Sequence, residues 1–159
     1  MEKSNIPKFP RAWSNDGRFI IFEQVDAVTK EDLWVLPDSG VGEPFPLVKT
    51  EFSELYGQFS PDGKWVVYTS NISGIFEVYV QSFPSSAGKW QVSADGGSQP
   101  RWSRDGKEIF YLAPDRTLMA LDVRSTTNEF EYGNPVPLFE TRVDNYDAPE
   151  RYVVSPDGL

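Results

Sequence analysis

The sequence predicts an all-β chain, a partial β-propeller of three four-stranded antiparallel blades followed by the first strand of a fourth. Three observations carry that expectation. A Ser-x-Asp-Gly turn recurs at Ser14, Ser60, Ser103 and Ser155, spaced by 46, 43 and 52 residues. A period of about 40–50 residues with four strands in each copy marks a propeller blade. The composition agrees: 14% aromatic residues, punctuated by 13 Pro and 12 Gly, favours many short strands over long helices.

The turn explains itself physically. In Ser60-Pro61-Asp62-Gly63, Pro presets φ at the first corner and Asp suits the second through local hydrogen bonds. Gly then takes the left-handed conformation from which the next strand returns. Asn15 and Arg104 replace the Pro in two copies, which a type I turn tolerates, whereas Gly17, Gly63, Gly106 and Gly158 are the same in all four. Each complete turn leads into an apolar strand: "RFIIFEQ", "KWVVYTS", "KEIFYLA". A third strand follows at 32–38, 77–83 and 117–123, beginning 18, 17 and 14 residues after the repeat Ser. The fourth reads "PFPLVKT", "KWQVSAD" and "PVPLFET". Blade one is therefore expected over 8–50, blade two over 51–96 and blade three over 97–141. Residues 142–159 would supply the start of a fourth, and 1–159 would form one continuous array. Trp13, Phe59 and Trp102 precede the repeat Ser in register and are expected to pack between blades.

A chain of 159 residues can bury roughly 70% of its unfolded surface, so it has the size of one domain. Its net charge of −9 argues against nucleic acid and against direct contact with an anionic membrane surface. No apolar run approaches transmembrane length, and "MEKSNIPKFPRAW" has no apolar signal-peptide core. Any export signal would lie outside this segment.

The recurring aromatic–Ser–Pro–Asp–Gly–Lys signature and the apolar strand after it resemble the TolB-type, WD-like propeller repeat over essentially the whole chain. Residues 88–139 more narrowly resemble the C-terminal propellers of bacterial receptor-like serine/threonine kinases. TolB-type propellers commonly have six blades, so the resemblance implies about half of one. Because "RYVVSPDG" would normally run on into a closing strand, the sequence reads as a fragment. The resemblance also implies an extracytoplasmic or periplasmic setting. It does not bring the kinase: there is no Gly-rich loop, no V-A-I-K strand, no H-R-D and no D-F-G. Gly40 and Gly42 in "GVGEPF" read as a loop between strands.

With no His and no Cys, a Ser-His-Asp or Cys-His site within this chain is excluded, as is a usual zinc site. Carboxylates remain, and glycoside hydrolysis needs only two at a set separation. The candidates are Glu31/Asp32, Glu51/Glu54 and the cluster Asp144, Asp147, Glu150, each of which reads more simply as a solvated loop face. Asp144-Asn145-Tyr146-Asp147 lacks the alternating ligands and Gly of a calcium loop. Asp16, Asp62, Asp105 and Asp157 repeat once per blade, as turn residues must and catalytic residues seldom do. Asn71-Ile72-Ser73 fits the short glycosylation pattern.

No catalytic, cofactor-binding or metal-binding residue is therefore assigned. The expected function is a non-catalytic module that binds a protein or small ligand, the sensor or scaffold part of a larger kinase or TolB-like protein. The alternative is an enzyme fragment: a carboxylate-based hydrolase or lyase, or the gating propeller of a prolyl-oligopeptidase-like peptidase. Three blades leave two unclosed faces, expected near Phe22 and Trp34 on blade one and near Phe110 and Met119 on blade three. Remaining blades of the same propeller or self-association would cover them.

Overall fold

The same small hydrogen-bond network builds each repeat turn. The hydroxyl of Ser60 donates to Asp62 Oδ1 at 2.6 Å and accepts the Trp65 N–H at 3.0 Å. Asp62 Oδ1 in turn accepts the Lys64 N–H at 3.1 Å, and the Gly63 N–H closes on the Ser60 carbonyl at 2.9 Å. Ser14–Asp16 and Ser103–Asp105 repeat these contacts at 2.6 and 2.8 Å. Gly17, Gly63 and Gly106 sit at φ of 73°, 71° and 73°, the left-handed region expected for them. Side chain and backbone thus satisfy each other locally, so the turn forms the same way wherever its four residues occur.

These turns organise thirteen strands in the computed structural model, which describes residues 6–38, 42–126, 129–142 and 152–155. The first sheet joins β1 (Lys8–Trp13), β2 (Phe19–Asp26), β3 (Lys30–Pro37) and β4 (Phe45–Val48) in sequence order. The second joins β5 (Glu54–Phe59), β6 (Trp65–Ser70), β7 (Glu77–Ser82) and β8 (Lys89–Gln91) in the same way. The third begins with β9 (Ser98–Trp102), β10 (Glu108–Leu112) and β11 (Thr117–Ser125). All pairings are antiparallel. Three blades of a partial propeller are the result, as the repeat predicts.

The third blade differs at its outer edge. Strand β11 runs on to Ser125, and two short strands share its edge: β12 (Phe130–Tyr132) pairs with 123–125 and β13 (Val136–Glu140) with 117–120. Pro135 has no N–H for the ladder and separates them. Only β13 is foreseen by the repeat. β12 carries Phe130 into the core, where its ring lies 5.2 Å from Trp65 and 5.3 Å from Trp90. In the fourth-blade segment, the described residues 152–155 form no strand ladder.

Period-two alternation sorts the side chains between interfaces. On β6, Val66 and Tyr68 face blade one and join Ile21, Leu33, Val35 and Phe59 in one buried cluster. Trp65 and Val67 face blade three and join Val78, Val80, Trp102, Ile109, Tyr111 and Leu121 in a second. Phe59 and Trp102 are 9% and 8% exposed, packed between blades as expected. Trp13, their counterpart, is 59% exposed. Of the expected outer faces, Phe22, Trp34 and Phe110 do lie on the sides turned away from blade two, with Phe22 and Phe110 themselves buried, whereas Met119 needs correction: it packs on the core between blades two and three. Apolar exposure falls instead on Phe9 and Trp13 at one end and on Val136 and Phe139 at the other.

A Cβ on Gly63 would touch nothing within 4 Å, so substitution there isolates the backbone effect. Gly63→Val should destabilise the chain by about 1–2 kcal/mol through left-handed strain alone. Ser60→Ala should cost about 1–2 kcal/mol by leaving the buried Trp65 N–H without its side-chain acceptor. Denaturant unfolding of both variants measures this; midpoints equal to that of the parent chain would show that the turn does not set the fold.

Candidate binding surface

The hairpins alternate between two rims. One rim carries the repeat turns, which touch from blade to blade: Asn15 Nδ2 donates to the Pro61 carbonyl at 2.9 Å, and Pro61 packs close to Gly106. Between the turns of blades two and three opens a cleft of about 610 Å³, lined among others by Asp62, Asp105, Lys107, Arg124 and Ser125. Its charged side chains are exposed and of both signs. Asp105 is held below the usual carboxylate range by the Lys107 N–H and the Ser103 hydroxyl, so it stays anionic. Asp16, on the same rim, is lowered to about 2 by the Ser14 hydroxyl and by the backbone and side chain of Arg18. Because β11 extends to Ser125, blade three projects Arg124 over this cleft. The sequence reading missed the cleft, since the extension of β11 breaks the repeat rather than following it.

The opposite rim gathers the carboxylates singled out in the sequence, and the geometry separates them. Glu31 accepts the Ser53 hydroxyl of the next blade at 2.7 Å, while Asp32, fully buried, accepts Thr29 Oγ1 at 2.6 Å and lies 3.7 Å from Lys49 Nζ. Glu51 is exposed, whereas Glu54 is buried and accepts Thr50 Oγ1 at 2.6 Å and Ser70 Oγ at 3.3 Å. Burial pushes the Glu54 carboxyl up, and the nearby charge of Asp32 adds to this. Neither pair presents two carboxylates to a common cleft. Asp16, Asp62 and Asp105 are engaged in their turns. Asp144, Asp147, Glu150, Asp157, Gly158 and Gly40 lie outside the described residues. Gly42 sits in a loop against Pro37, with no helix after it. Asn71 accepts the Ser53 N–H at 3.0 Å through its amide oxygen. Among the described residues, no group of three or more acidic side chains is disposed to hold a metal ion.

A residue the sequence reading passed over has a larger structural role. Glu23 is buried at the first interface, where it pairs with Arg11 and accepts the Tyr56 N–H of blade two at 2.7 Å. Tyr56 lies at φ 58° in a bulge of β5, and Gln99 at φ 51° occupies the same place in β9. The signal in the sequence was a break in pattern: nine residues after the repeat Ser stand Glu23, Thr69 and Leu112.

The chain matches no protein-family model. It is 28% identical over 145 residues to the uncharacterized protein Atu1656 of Agrobacterium fabrum, covering 86% of this chain and 47% of the relative. Among solved structures it is similar to TolB from Acinetobacter baumannii, with a TM-score of 0.67 and 18% identity over 87% of this chain and 34% of that one. A putative TolB from Agrobacterium tumefaciens gives a TM-score of 0.63 at 18% identity, over 84% and 51%. The fold is that of a TolB-like β-propeller, in part. A more distant propeller, the Cps50 (Swd1) domain of Myceliophteria thermophila, gives 0.53 at 10% identity over 82% and 57%. This TolB-like segment thus spans about half the length of the curated relative it matches.

Two variants test the buried carboxylates. Glu23→Ala should destabilise by about 2–4 kcal/mol, because it removes the carboxylate that accepts the buried Tyr56 N–H and pairs with Arg11. A loss below about 0.5 kcal/mol in denaturant unfolding would contradict this. For Glu54, an acid whose folded pKa lies above its unfolded one, the sign follows from proton binding. Its stabilising contribution is complete below the unfolded pKa and is lost as pH rises through the folded value. Glu54→Gln should therefore gain stability relative to the parent chain between pH 4.5 and pH 7. An unchanged difference across that range would contradict the assignment.

Proposed function

We propose that this TolB-like segment is a non-catalytic binding module whose repeat-turn rim engages a protein partner. The observation that supports this reading is a division of labour between the rims. Among the described residues, Glu31, Asp32 and Glu54 are tied to Ser, Thr and Lys side chains and Asp16, Asp62 and Asp105 to their turns, whereas the cleft beside Asp62, Asp105, Lys107 and Arg124 is open. Exposed charges of both signs around a concave surface suit selective contact with a partner more than burial of a small apolar ligand.

The module belongs, in this reading, to a larger extracytoplasmic protein, as the sensor or scaffold part of a receptor-like serine/threonine kinase or of a TolB-like protein. That context rests on the resemblance of residues 88–139 and on the chain's spanning about half of its relative. The flanking coding sequence tests it: kinase motifs upstream support the reading, and a hydrolase domain with a G-x-S-x-G elbow downstream contradicts it.

The binding rim is tested by placing a photo-crosslinking residue at Arg124 or, as a control, at Lys30 on the other rim, in cells that produce the protein. Arg124 should yield a defined protein adduct and Lys30 none. Equal adducts at both positions, or none at either, would contradict the proposal.

A further inference from the structure

The extension of β11 leaves main-chain hydrogen-bonding groups open on the cleft between blades two and three. On its β12 side the bonded residues alternate: the Gly133 N–H donates to the Asp122 carbonyl and the Thr126 N–H to the Glu129 carbonyl, both at 2.9 Å. In that register Val123 and Ser125 turn their backbone groups the opposite way, toward the β10 side. The Val123 N–H accordingly donates to the Lys107 carbonyl at 2.7 Å. Ser125 meets no strand there, because β10 begins at Glu108 and the repeat turn has led the chain away. Its N–H and C=O have no backbone partner among the described residues, and Ser125 lines the cleft.

Blade two shows the same place without an extension. The Phe83 N–H makes the matching bond, to the Lys64 carbonyl at 2.7 Å, but Pro84 follows and the Ser82 hydroxyl donates to the Ser85 carbonyl at 2.6 Å, folding the loop back. In blade three β11 runs on instead, and β12 holds it in place. Phe130 roots β12 among Trp65, Trp90 and Trp102, and the Tyr132 hydroxyl donates to the Gln91 carbonyl of blade two at 2.9 Å. The open edge is thus fixed before anything pairs with it, which lowers the ordering cost of binding.

The charges beside this edge add a preference. Asp105 lies 3.5 Å from Lys107 and Asp62 3.8 Å from Lys64, so these ions pair within their own turns. Arg124 is exposed and forms no ion pair among the described residues, even with Glu131 opposite it in β12. Its guanidinium offers a planar fork suited to a carboxylate.

Resting on the reading that this rim engages a protein, we infer the mode of engagement: an extended acidic segment of the partner adds as a strand to the β11 edge at Ser125 and sets a carboxylate on Arg124. Pairing with so short an edge supplies few main-chain bonds, so the Arg124 contact carries the selectivity.

Selection of a phage-displayed library of random nine-residue peptides on the full 159-residue chain tests this, with fluorescence anisotropy of the enriched peptides and denaturant unfolding of each variant. Enriched peptides should carry Asp or Glu and lack Pro at their centre. Ser125→Pro removes the N–H that faces the cleft and spares the β12 ladder, so it should weaken them at least tenfold, whereas Ser125→Ala should change binding less than twofold. Arg124→Glu should weaken them at least tenfold. If Ser125→Pro does not fold, hydrogen exchange of the parent chain takes its place, and bound peptide should slow the Ser125 amide at least tenfold. No enrichment, enrichment of basic or Pro-rich peptides, binding indifferent to Ser125→Pro, or an unprotected Ser125 amide would overturn the inference. So would a dimer of the chain that depends on Ser125, which would seat a second copy on the edge. A protein adduct at Arg124 in cells without any such peptide would remove the strand pairing and leave the binding rim standing; the absence of that adduct removes the rim itself.

Discussion

A sheet with two apolar faces cannot be stable alone, and this constraint governs the middle blade. Strand β6 has no polar face: Trp65 and Val67 point one way, Val66 and Tyr68 the other, and all are buried. Each face must be covered by another sheet, so the chain stacks blades rather than folding one against solvent. The repeat turn, the spacing of the strands and the aromatic residue before each Ser all serve that stacking. Burying side chains such as Val66 and Val67 contributes roughly 1.5–3 kcal/mol each, far more than any single surface contact.

Polar groups lock the stack in register where apolar packing alone would let the blades slide. Glu23 reaches across to the Tyr56 N–H, Gln81 to the Leu47 carbonyl, and Tyr132 to the Gln91 carbonyl. Such groups are costly to bury without partners, so each fixes one alignment of neighbouring blades. On the far rim, Glu31, Asp32 and Glu54 each have one oxygen held by Ser, Thr or Lys side chains that belong to the frame.

What the sequence could show depended on whether a feature repeats. The turn and the four-strand blade were legible because their physics is local and occurs three times within the described residues. Trp13 read the same as Phe59 and Trp102, because exposure depends on a neighbouring blade and not on the residue itself. Glu23 and the extended β11 with Phe130 were hidden for the opposite reason: each occurs once, and its partners come from a different blade. The cleft beside Arg124 exists because of that same irregular extension, so the part of the surface most suited to selective binding was the part least visible in the repeat.

The central claim is that blade-on-blade packing, not the individual sheet, is the unit of stability, and native-state hydrogen exchange tests it most directly. Amides of β6 and β7, sandwiched on both faces, should be the slowest to exchange. Those of β4 and β13, at the outer edges of the end blades, should exchange through local openings of lower free energy. Equal protection in all three blades, or greater protection in β2 and β10 than in β6, would contradict the account.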